Sequence, residues 1–440
     1  MSSVTIGVLC LVLFLVLMFF GLPIPISMMI GGVVGISILS SPSAAAQFVV
    51  SDFINNFSSY TLTVGPMFGL MGFIANFSGI GTDLFSSINV FTRHVRGGLS
   101  IATQAACALF GAICGSVPAT IATMSTIAYP EMKKRGYDAT LAANSVASGA
   151  HLACLIPPST TFIIYGMATN ASIGALFLSG IGPGILLMCL NILATMYIIR
   201  KDPSKAPHGV KALMKERAAA LKNFNLWSIV IIFIIAMGGL FAGFFTPTEA
   251  GAVGACAMLI ITIITRQMTW KKFVSSLYSG IRLMAMVYLI MSTAGVFGRM
   301  FTLAKIPVAL GNFVKSLNVP GVVILLVIIA IYFLLGMVTD LISMVLVTMP
   351  IFYPIVITQL GYSDIWFGAL IVLIISTGML TPPVGGTIFV VAGSLKQDKD
   401  ISIMGLFKGI WPFVIAILAA TVLVLIFPPI ATWLPSLVYG

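Results

Sequence analysis

Apolar segments long enough to cross a bilayer follow one another along almost the whole chain, and each is nearly free of charge. One such run, residues 226–245, contains the unbroken stretch 229–236 and is flanked by charge on one side only. About 20 residues of this kind suffice to span the hydrocarbon core. Only 8% of the residues are charged and 59% are hydrophobic, against about a quarter charged in a soluble domain, so the chain cannot cover a water-facing surface. Lipid must be the solvent for most of it. No soluble domain, long linker or low-complexity tract interrupts the pattern, and the 440 residues read as one all-α polytopic membrane unit.

The first apolar stretch, 4–20, is preceded only by Met1-Ser2-Ser3. A secretory leader would carry Lys or Arg there, so a retained first helix is expected. The cysteines Cys10, Cys107, Cys114, Cys154, Cys189 and Cys256 lie in apolar segments without a C-x-x-C spacing. They are expected as small core residues, not as disulfides or transition-metal ligands. A net charge of +11 would suggest nucleic acid for a soluble protein. Here no nucleic-acid partner is expected, and the placement of the basic residues reports orientation.

The richest hydrophilic stretch, 200–225, holds Arg200, Lys201, Lys205, Lys211, Lys215, Arg217 and Lys222 against Asp202 and Glu216, which places it in the cytoplasm. Counting outward, 174–199 descends to it, 226–245 leaves it, and 250–265 returns to Arg266, Lys271 and Lys272. Counting backward, 139–170 starts inside beside Lys133, Lys134 and Arg135, and 99–129 starts inside beside Arg93 and Arg96. Both ends of 99–129 therefore lie on one side, and Gly115-Ser116-Val117-Pro118 interrupts its middle. A re-entrant hairpin is expected, tolerated at membrane depth only where its backbone lines a cavity.

The same count puts Lys305 and Lys315 outside, makes 320–357 a second hairpin broken near 336–340, and sends 364–393 across to Lys396 and Lys399. This second hairpin opens from the opposite side. Helices at 25–40 and 62–91 precede the first hairpin, and both termini fall outside. An amphipathic stretch, 270–278, is expected as a surface helix from which Arg282 snorkels.

An internal repeat underlies this symmetry. Gly136-Tyr137 recurs as Gly361-Tyr362 and Leu155-Ile156-Pro157-Pro158 as Leu380-Thr381-Pro382-Pro383, both at an offset of 225; Gly180 with Gly405 and Gly184 with Gly409 share it. With opposite basic flanks the copies form an inverted-topology repeat, an arrangement that lets two related conformations face opposite sides of the membrane. Each copy carries a hairpin tip (115–120; 336–340) and a Pro-Pro break in the following helix (156–159; 381–385). Proline removes a backbone donor and frees a carbonyl one turn earlier. Carbonyls suit a hard cation such as sodium, and half-helix N-termini attract an anion.

Asp340 is the one acidic residue this reading places deep in a membrane segment, where a carboxylate is by default functional, with a tip-capping role as the alternative. Glu249 in Thr246-Pro247-Thr248-Glu249 reads as helix-start chemistry. His151 either faces a cavity beside the first break or packs as a neutral core residue; His94 and His208 fall in loops. No H-E-x-x-H or G-x-x-x-x-G-K-[ST] motif occurs, so hydrolytic, metal and ATP chemistries lack their residues. A channel would need a continuous pore, which oppositely directed hairpins do not suggest.

The combination of Gly115-Ser116, Tyr129-Pro130-Glu131-Met132-Lys133-Lys134-Arg135-Gly136-Tyr137-Asp138, Ile156-Pro157-Pro158-Ser159 and Ser172-Ile173-Gly174-Ala175-Leu176-Phe177 resembles the large membrane subunit of tripartite ATP-independent periplasmic (TRAP) transporters. Thr246-Pro247-Thr248-Glu249-Ala250 and Leu380-Thr381-Pro382-Pro383-Val384-Gly385 extend the resemblance along nearly the whole chain. It implies an elevator-type transport domain of two hairpins and two broken helices, a small four-helix membrane subunit, a periplasmic substrate-binding protein, and sodium-driven uptake of a small organic acid across the bacterial inner membrane, with no cofactor. A proton-coupled anion carrier of the same fold is the alternative, and a membrane-embedded enzyme a more distant one.

The domains expected are scaffold helices in 1–91, a transport repeat in 92–172, scaffold and connecting helices in 173–299, a second transport repeat in 300–404, and a C-terminal scaffold helix in 405–440. Candidate sodium ligands are Gly115, Ser116, Val117, Ser148, Gly149, Leu152 and Pro157 in the first copy, and Thr339, Asp340, Thr377, Gly378, Met379, Thr381 and Pro382 in the second. Candidate solute-binding residues are Ser116, Pro118, His151, Pro158, Ser159, Asp340, Pro383 and Gly385. The chain departs from the family pattern at Val117-Pro118, where a small hydroxyl residue is usual, at Ala153-Cys154, where Gly-Pro is usual, and at His151, where a small residue is usual.

Overall fold

In the computed structural model, residues 2–209, 211–316 and 319–440 are described, the side chains of Val314 and Lys315 excepted, and no strand occurs among them. The first copy of the repeat comprises α1 (Ser3–Phe19), α2 (Ile24–Leu39), α3 (Pro42–Phe57), α4 (Val64–Ser78), α5 (Ile80–Thr92), α6 (Gly98–Cys114), α7 (Val117–Lys134), α8 (Ala139–Ala150), α9 (Thr160–Thr169) and α10 (Ile173–Lys201). After the short α11 (Met214–Leu221) comes α12 (Phe224–Phe233), which continues through wider turns at Ile234–Gly238 into α13 (Gly239–Phe241). The second copy, which α12 and α13 open, continues through α14 (Pro247–Ile264), α15 (Trp270–Leu303), α16 (Ile306–Ser316), α17 (Gly321–Gly336), α18 (Leu341–Tyr353), α19 (Asp364–Leu380), α20 (Gly386–Ser394), α21 (Ile403–Gly409) and α22 (Trp411–Ile426). The chain closes on α23 (Pro429–Tyr439).

The 225-residue offset governs the whole chain, well beyond the motifs that reveal it. It lays α2 on α14, α5 on α16, α8 on α19, α9 on α20, and α10 on α21 with α22. Gly136 and Gly361 both turn through positive φ, 80° and 73°, a conformation that glycine adopts at little cost. Asp138 and Ser363 then cap the next helices through their side chains, accepting from the amides of Leu141 and Trp366. The same offset lays α1 on α12 and α13, so the second copy opens at α12.

Several elements differ from expectation. The helix expected over 62–91 is two, because Gly79 at φ 91° stops α4, a left-handed glycine stop; its counterpart is the turn at Lys305, φ 57°, between α15 and α16. Helix α3 was not expected, although Ser41 caps it and Pro42 occupies its first turn, both start signals. The surface helix expected at 270–278 is the beginning of α15, 34 residues without a break and so roughly 50 Å long. The C-terminal helix expected over 405–440 is three: α22 bends 49° from α21, and Pro428-Pro429 ends it. Part of the stretch 200–225 is helical, as α11.

Two packing groups emerge. In one, α15 lies along α2, α3 and α4, with α14 also against α4. Small residues let these helices approach, as is usual without a hydrophobic drive inside lipid: a Cβ on Gly35 would lie 2.4 Å from Met300 Cγ, and one on Gly254 2.6 Å from Met71 Sδ. In the other group, α10 packs on α22, α23 and α6, and α19 packs on α17 and α22.

Within this second group each hairpin meets its broken helix backbone to backbone. A Cβ on Gly111 of α6 would stand 2.6 Å from Ala153 Cα, and one on Gly378 of α19 would stand 2.5 Å from Phe333 O and 2.8 Å from Gly336 C in α17. Gly111 and Gly336 are repeat partners, as are Ala153 and Gly378. Polar ties secure the ends: Lys133 pairs with Asp398 and, at 2.8 Å, with Asp400, while the Tyr129 hydroxyl donates to Asp398 at 2.7 Å. Lys133 and then Tyr129 hold the Asp398 carboxyl down at about 2, so this tie is fully present above the ordinary carboxylate range and is lost only as pH falls through about 2.

Replacing Gly378 by Ala forces α17 away from α19 and is expected to cost about 1–3 kcal/mol, the usual price of overpacking. Thermal unfolding in detergent measures it, with Gly386→Ala, where an added Cβ meets nothing, as the neutral comparison. Equal melting temperatures for the two variants would remove the close-approach argument.

Candidate functional site

The first tip forms because Gly115 takes φ 56° at the end of α6 and Val117-Pro118 opens α7. Proline in a first helical turn gives up an amide that has no helical partner anyway, which accounts for the departure at Val117-Pro118. The tip is docked. Gly115 O accepts from Thr160 N at 3.1 Å and from Thr160 Oγ1 at 2.8 Å, and a Cβ on Gly115 would sit 2.3 Å from Pro158 O.

Opposite this tip, α8 ends at Ala150 and tightens into a short turn at His151–Cys154. Leu152 O accepts from both Leu155 N, 3.2 Å, and Ile156 N, 2.9 Å. Ser159 closes the break twice, donating to Cys154 O at 2.6 Å and capping α9 through Phe162 N. Among the described residues no hydrogen bond reaches the carbonyls of 155–158. Pro157, Pro158 and Ser159 are buried, so these are bare oxygens at the centre of an apolar bundle.

The second site has the same parts in a looser arrangement. Asp340, the repeat partner of Gly115, caps α18 by accepting from Ser343 N at 3.1 Å, which is the capping role; its side chain is only partly buried. Thr339 donates to Leu335 O, Thr377 to Leu373 O and Thr381 to Thr377 O, at 2.9, 2.7 and 2.6 Å. Each hydroxyl keeps lone pairs free. Thr381 N bonds Gly378 O, and the carbonyls of 381–384 receive no hydrogen bond from described residues. Gly385, at φ 53°, opens α20. Met379 is half-buried, but Pro383 and Val384 are exposed, and no hydrogen bond among described residues joins the 337–340 tip to this break. The first tip is hydrogen-bonded to its break and, among described residues, the second is not. Both Pro-Pro peptides are cis.

The two breaks touch across the repeat axis. His151, fully buried, shares a 2.9 Å hydrogen bond with Thr387 Oγ1 of α20, and Cys154 Sγ lies 3.3 Å from Ser376 Oγ of α19. His151 Nδ1 is buried without a partner among described residues. Ser148 and Gly149 sit further back on α8, against a polar network the sequence reading missed: Gln104 of α6 donates to Ser148 Oγ and Ser145 O, both at 3.0 Å, and Asn191 of α10 donates to Gln104 Oε1 at 3.1 Å. Amide side chains at membrane depth were the available signal.

The donors gathered at both breaks are carbonyl and hydroxyl oxygens, the ligand type of hard cations. No group of His, Cys, Asp or Glu that could hold a transition metal occurs among the described residues. At the first break the N-termini of α7 and α9 meet, Gly115 O accepting from Thr160 N, and present positive dipole ends that suit an anion. Glu249, as expected, completes a capping box with Thr246.

Comparisons with known proteins bear on what this arrangement serves. The family model described as tripartite ATP-independent periplasmic transporter, DctM component, matches residues 11–430. The C4-dicarboxylate TRAP transporter large permease protein DctM of Pseudomonas aeruginosa is 32% identical over 400 residues, 91% of this chain and 91% of its own length. The ectoine/5-hydroxyectoine TRAP transporter large permease protein UehC of Ruegeria pomeroyi is 30% identical over 430 residues, 97% of this chain and 98% of its own. Among solved structures, Neisseria gonorrhoeae MtrF, described with a class of antimetabolite efflux pumps, superposes with a TM-score of 0.62 over 98% of this chain and 95% of that one, at 13% identity. That likeness concerns the fold alone.

Gly115→Ala should undock the first tip, because the new Cβ meets Pro158 O in a conformation L-residues avoid. Hydrogen–deuterium exchange in segments 115–120 and 158–162 is expected to speed up about tenfold or more, the effect of roughly 1.4 kcal/mol of easier local opening, with 337–343 unchanged. Unchanged exchange at Thr160 would contradict the docking.

Proposed function

The chain belongs to the DctM family of tripartite ATP-independent periplasmic transporters, as a multi-pass large permease subunit and not an enzyme, and from that premise we propose that it drives sodium-coupled uptake of a small organic acid anion by an elevator movement. The observation that carries the reading is the paired breaks. Each pairs bare carbonyls and hydroxyls with a hairpin whose arm packs on the broken helix, and the first tip is tied to its break by Thr160. Carbonyl cages bind sodium, and the helix N-termini that meet at the first break attract the anion's negative charge.

The moving body comprises the hairpins, the broken helices and also α10, α22 and α23, since these pack on α6 and α19. That assignment departs from the scaffold role expected for 173–199 and 405–440. The remaining helices around α2, α4, α14 and α15 form the scaffold. The basic clusters at 93–96, 133–135 and 200–222 face the cytoplasm, and both termini face the periplasm of an inner-membrane protein. A small four-helix membrane subunit completes the scaffold and a periplasmic binding protein delivers the solute, so the isolated chain should not transport.

Sodium coupling is tested in proteoliposomes holding the chain with both partners. Uptake should require an inward sodium gradient and survive collapse of a proton gradient. Asp340→Asn should raise the sodium concentration for half-maximal uptake about fivefold, equivalent to ~1 kcal/mol of ion affinity, with solute capture less affected. Uptake that ignores sodium, follows an imposed pH step and vanishes in Asp340→Asn would instead make Asp340 the proton carrier.

A further inference from the structure

A cavity of about 700 Å³ lies away from both breaks, in the seam between the packing groups. Helices α3 and α15 wall one side; the end of α9 and the length of α18 wall the other. Its volume falls within the roughly 300–1,000 Å³ of small-ligand sites. Among the described residues Asp52 and Arg299 are the only charged ones on its walls, which are otherwise apolar or neutral.

This pair is built with care for geometry. Arg299 Nε donates to both carboxylate oxygens of Asp52, at 3.0 and 2.9 Å, and Nη2 donates to Oδ1 at 2.7 Å. The Phe48 ring supports the guanidinium at 5.0 Å. Gly295, one turn before Arg299, makes room, since a Cβ there would stand 3.2 Å from Asp52 Oδ2. The Asp52 side chain is 8% exposed while Arg299 keeps 42% of its surface open, and Arg299 Nη1 makes no hydrogen bond with any described residue. The cavity therefore faces a fixed guanidinium edge whose counter-charge is nearly covered.

We propose that this cavity is the chamber in which the solute waits before it reaches the hairpin tips, and that Arg299 recognises its carboxylate; the assignment rests on the anion-uptake reading above. A guanidinium already held in place loses little freedom on binding, and apolar walls strengthen its attraction for an anion. Phe48, Met291 and Met349 on the same walls suit the carbon skeleton of a small organic acid. Asp52 and Phe48 act as positioning residues that hold the guanidinium.

The test needs no transport. In the full-length chain in lipid nanodiscs, with exposed Cys189 and Cys256 replaced by Ala and the other four cysteines buried, Thr302→Cys places a thiol on the cavity wall. Its modification rates by anionic sulfonatoethyl methanethiosulfonate and the neutral hydroxyethyl analogue give a ratio. Arg299→Gln should lower that ratio about fivefold and Arg299→Lys should largely preserve it, and succinate should slow modification with Arg299 present but not with Gln. Asp52→Asn, which leaves the arginine charge uncompensated, should raise the ratio and serves if Arg299→Gln does not fold. A ratio unmoved by both Arg299→Gln and Asp52→Asn, or unmoved by Asp52→Asn alone where Arg299→Gln cannot be made, overturns the proposal. Because no ion gradient is involved, a failure of sodium coupling would leave these rates as they are.

Discussion

Everything distinctive about this molecule depends on two places where a hairpin arm and a broken helix touch backbone to backbone. At Gly111 against Ala153, and at Gly336 against Gly378, an ordinary side chain would hold the elements apart. Inside lipid there is no hydrophobic drive to bring helices together, so close packing and polar pairing must do it. The contact sets each hairpin arm against its broken helix, whose carbonyls at 155–158 and 381–384 receive no hydrogen bond from the described residues. Bare carbonyls in an apolar bundle are costly, and they are tolerable only where an ion, water or solute can serve them.

The two sites are related by the repeat yet differ in state. Thr160 in the first copy ties Gly115 down with two hydrogen bonds. Its partner in the second is Gly385, without a hydroxyl, and Gly115 is matched by Asp340, whose Oδ2 accepts from Ser343 N of its own helix. A duplicated backbone thus carries unequal chemistry at its tips. His151 joins the sites, reaching from the first break to Thr387 beyond the second.

The hairpin that opens toward the basic loops is also braced at its outer end. Lys133 and Tyr129 grip Asp398 in the turn after α20, Arg93 pairs with Glu216 of α11, and Arg96 donates to Pro203 O and Ala206 O. Residues 203–206 and Glu216 therefore tie down the chain on both sides of the first hairpin, since Asp138 N, at the cap of α8, bonds Lys205 O.

The sequence by itself determined the membrane class, the hairpins, the broken helices and the repeat, because apolar period, basic flanks and Pro-Pro pairs are local signals that survive without a fold. Capping at Glu249 was legible for the same reason, as was the burial of Cys10, Cys107, Cys114 and Cys154, whereas Cys189 and Cys256, expected in the core, are exposed. Boundaries set by one glycine, such as Gly79, or by the absence of a breaker, as along α15, were less so, since helix propensity runs smoothly across them. Only the tertiary structure decided that Asp52 meets Arg299, 247 positions away, that Gln104 and Asn191 back Ser148, and that the first tip is hydrogen-bonded to its break. Those outcomes depend on distances between helices, which are fixed by how small residues stack across the bundle, and no stretch of sequence contains both sides of that contact.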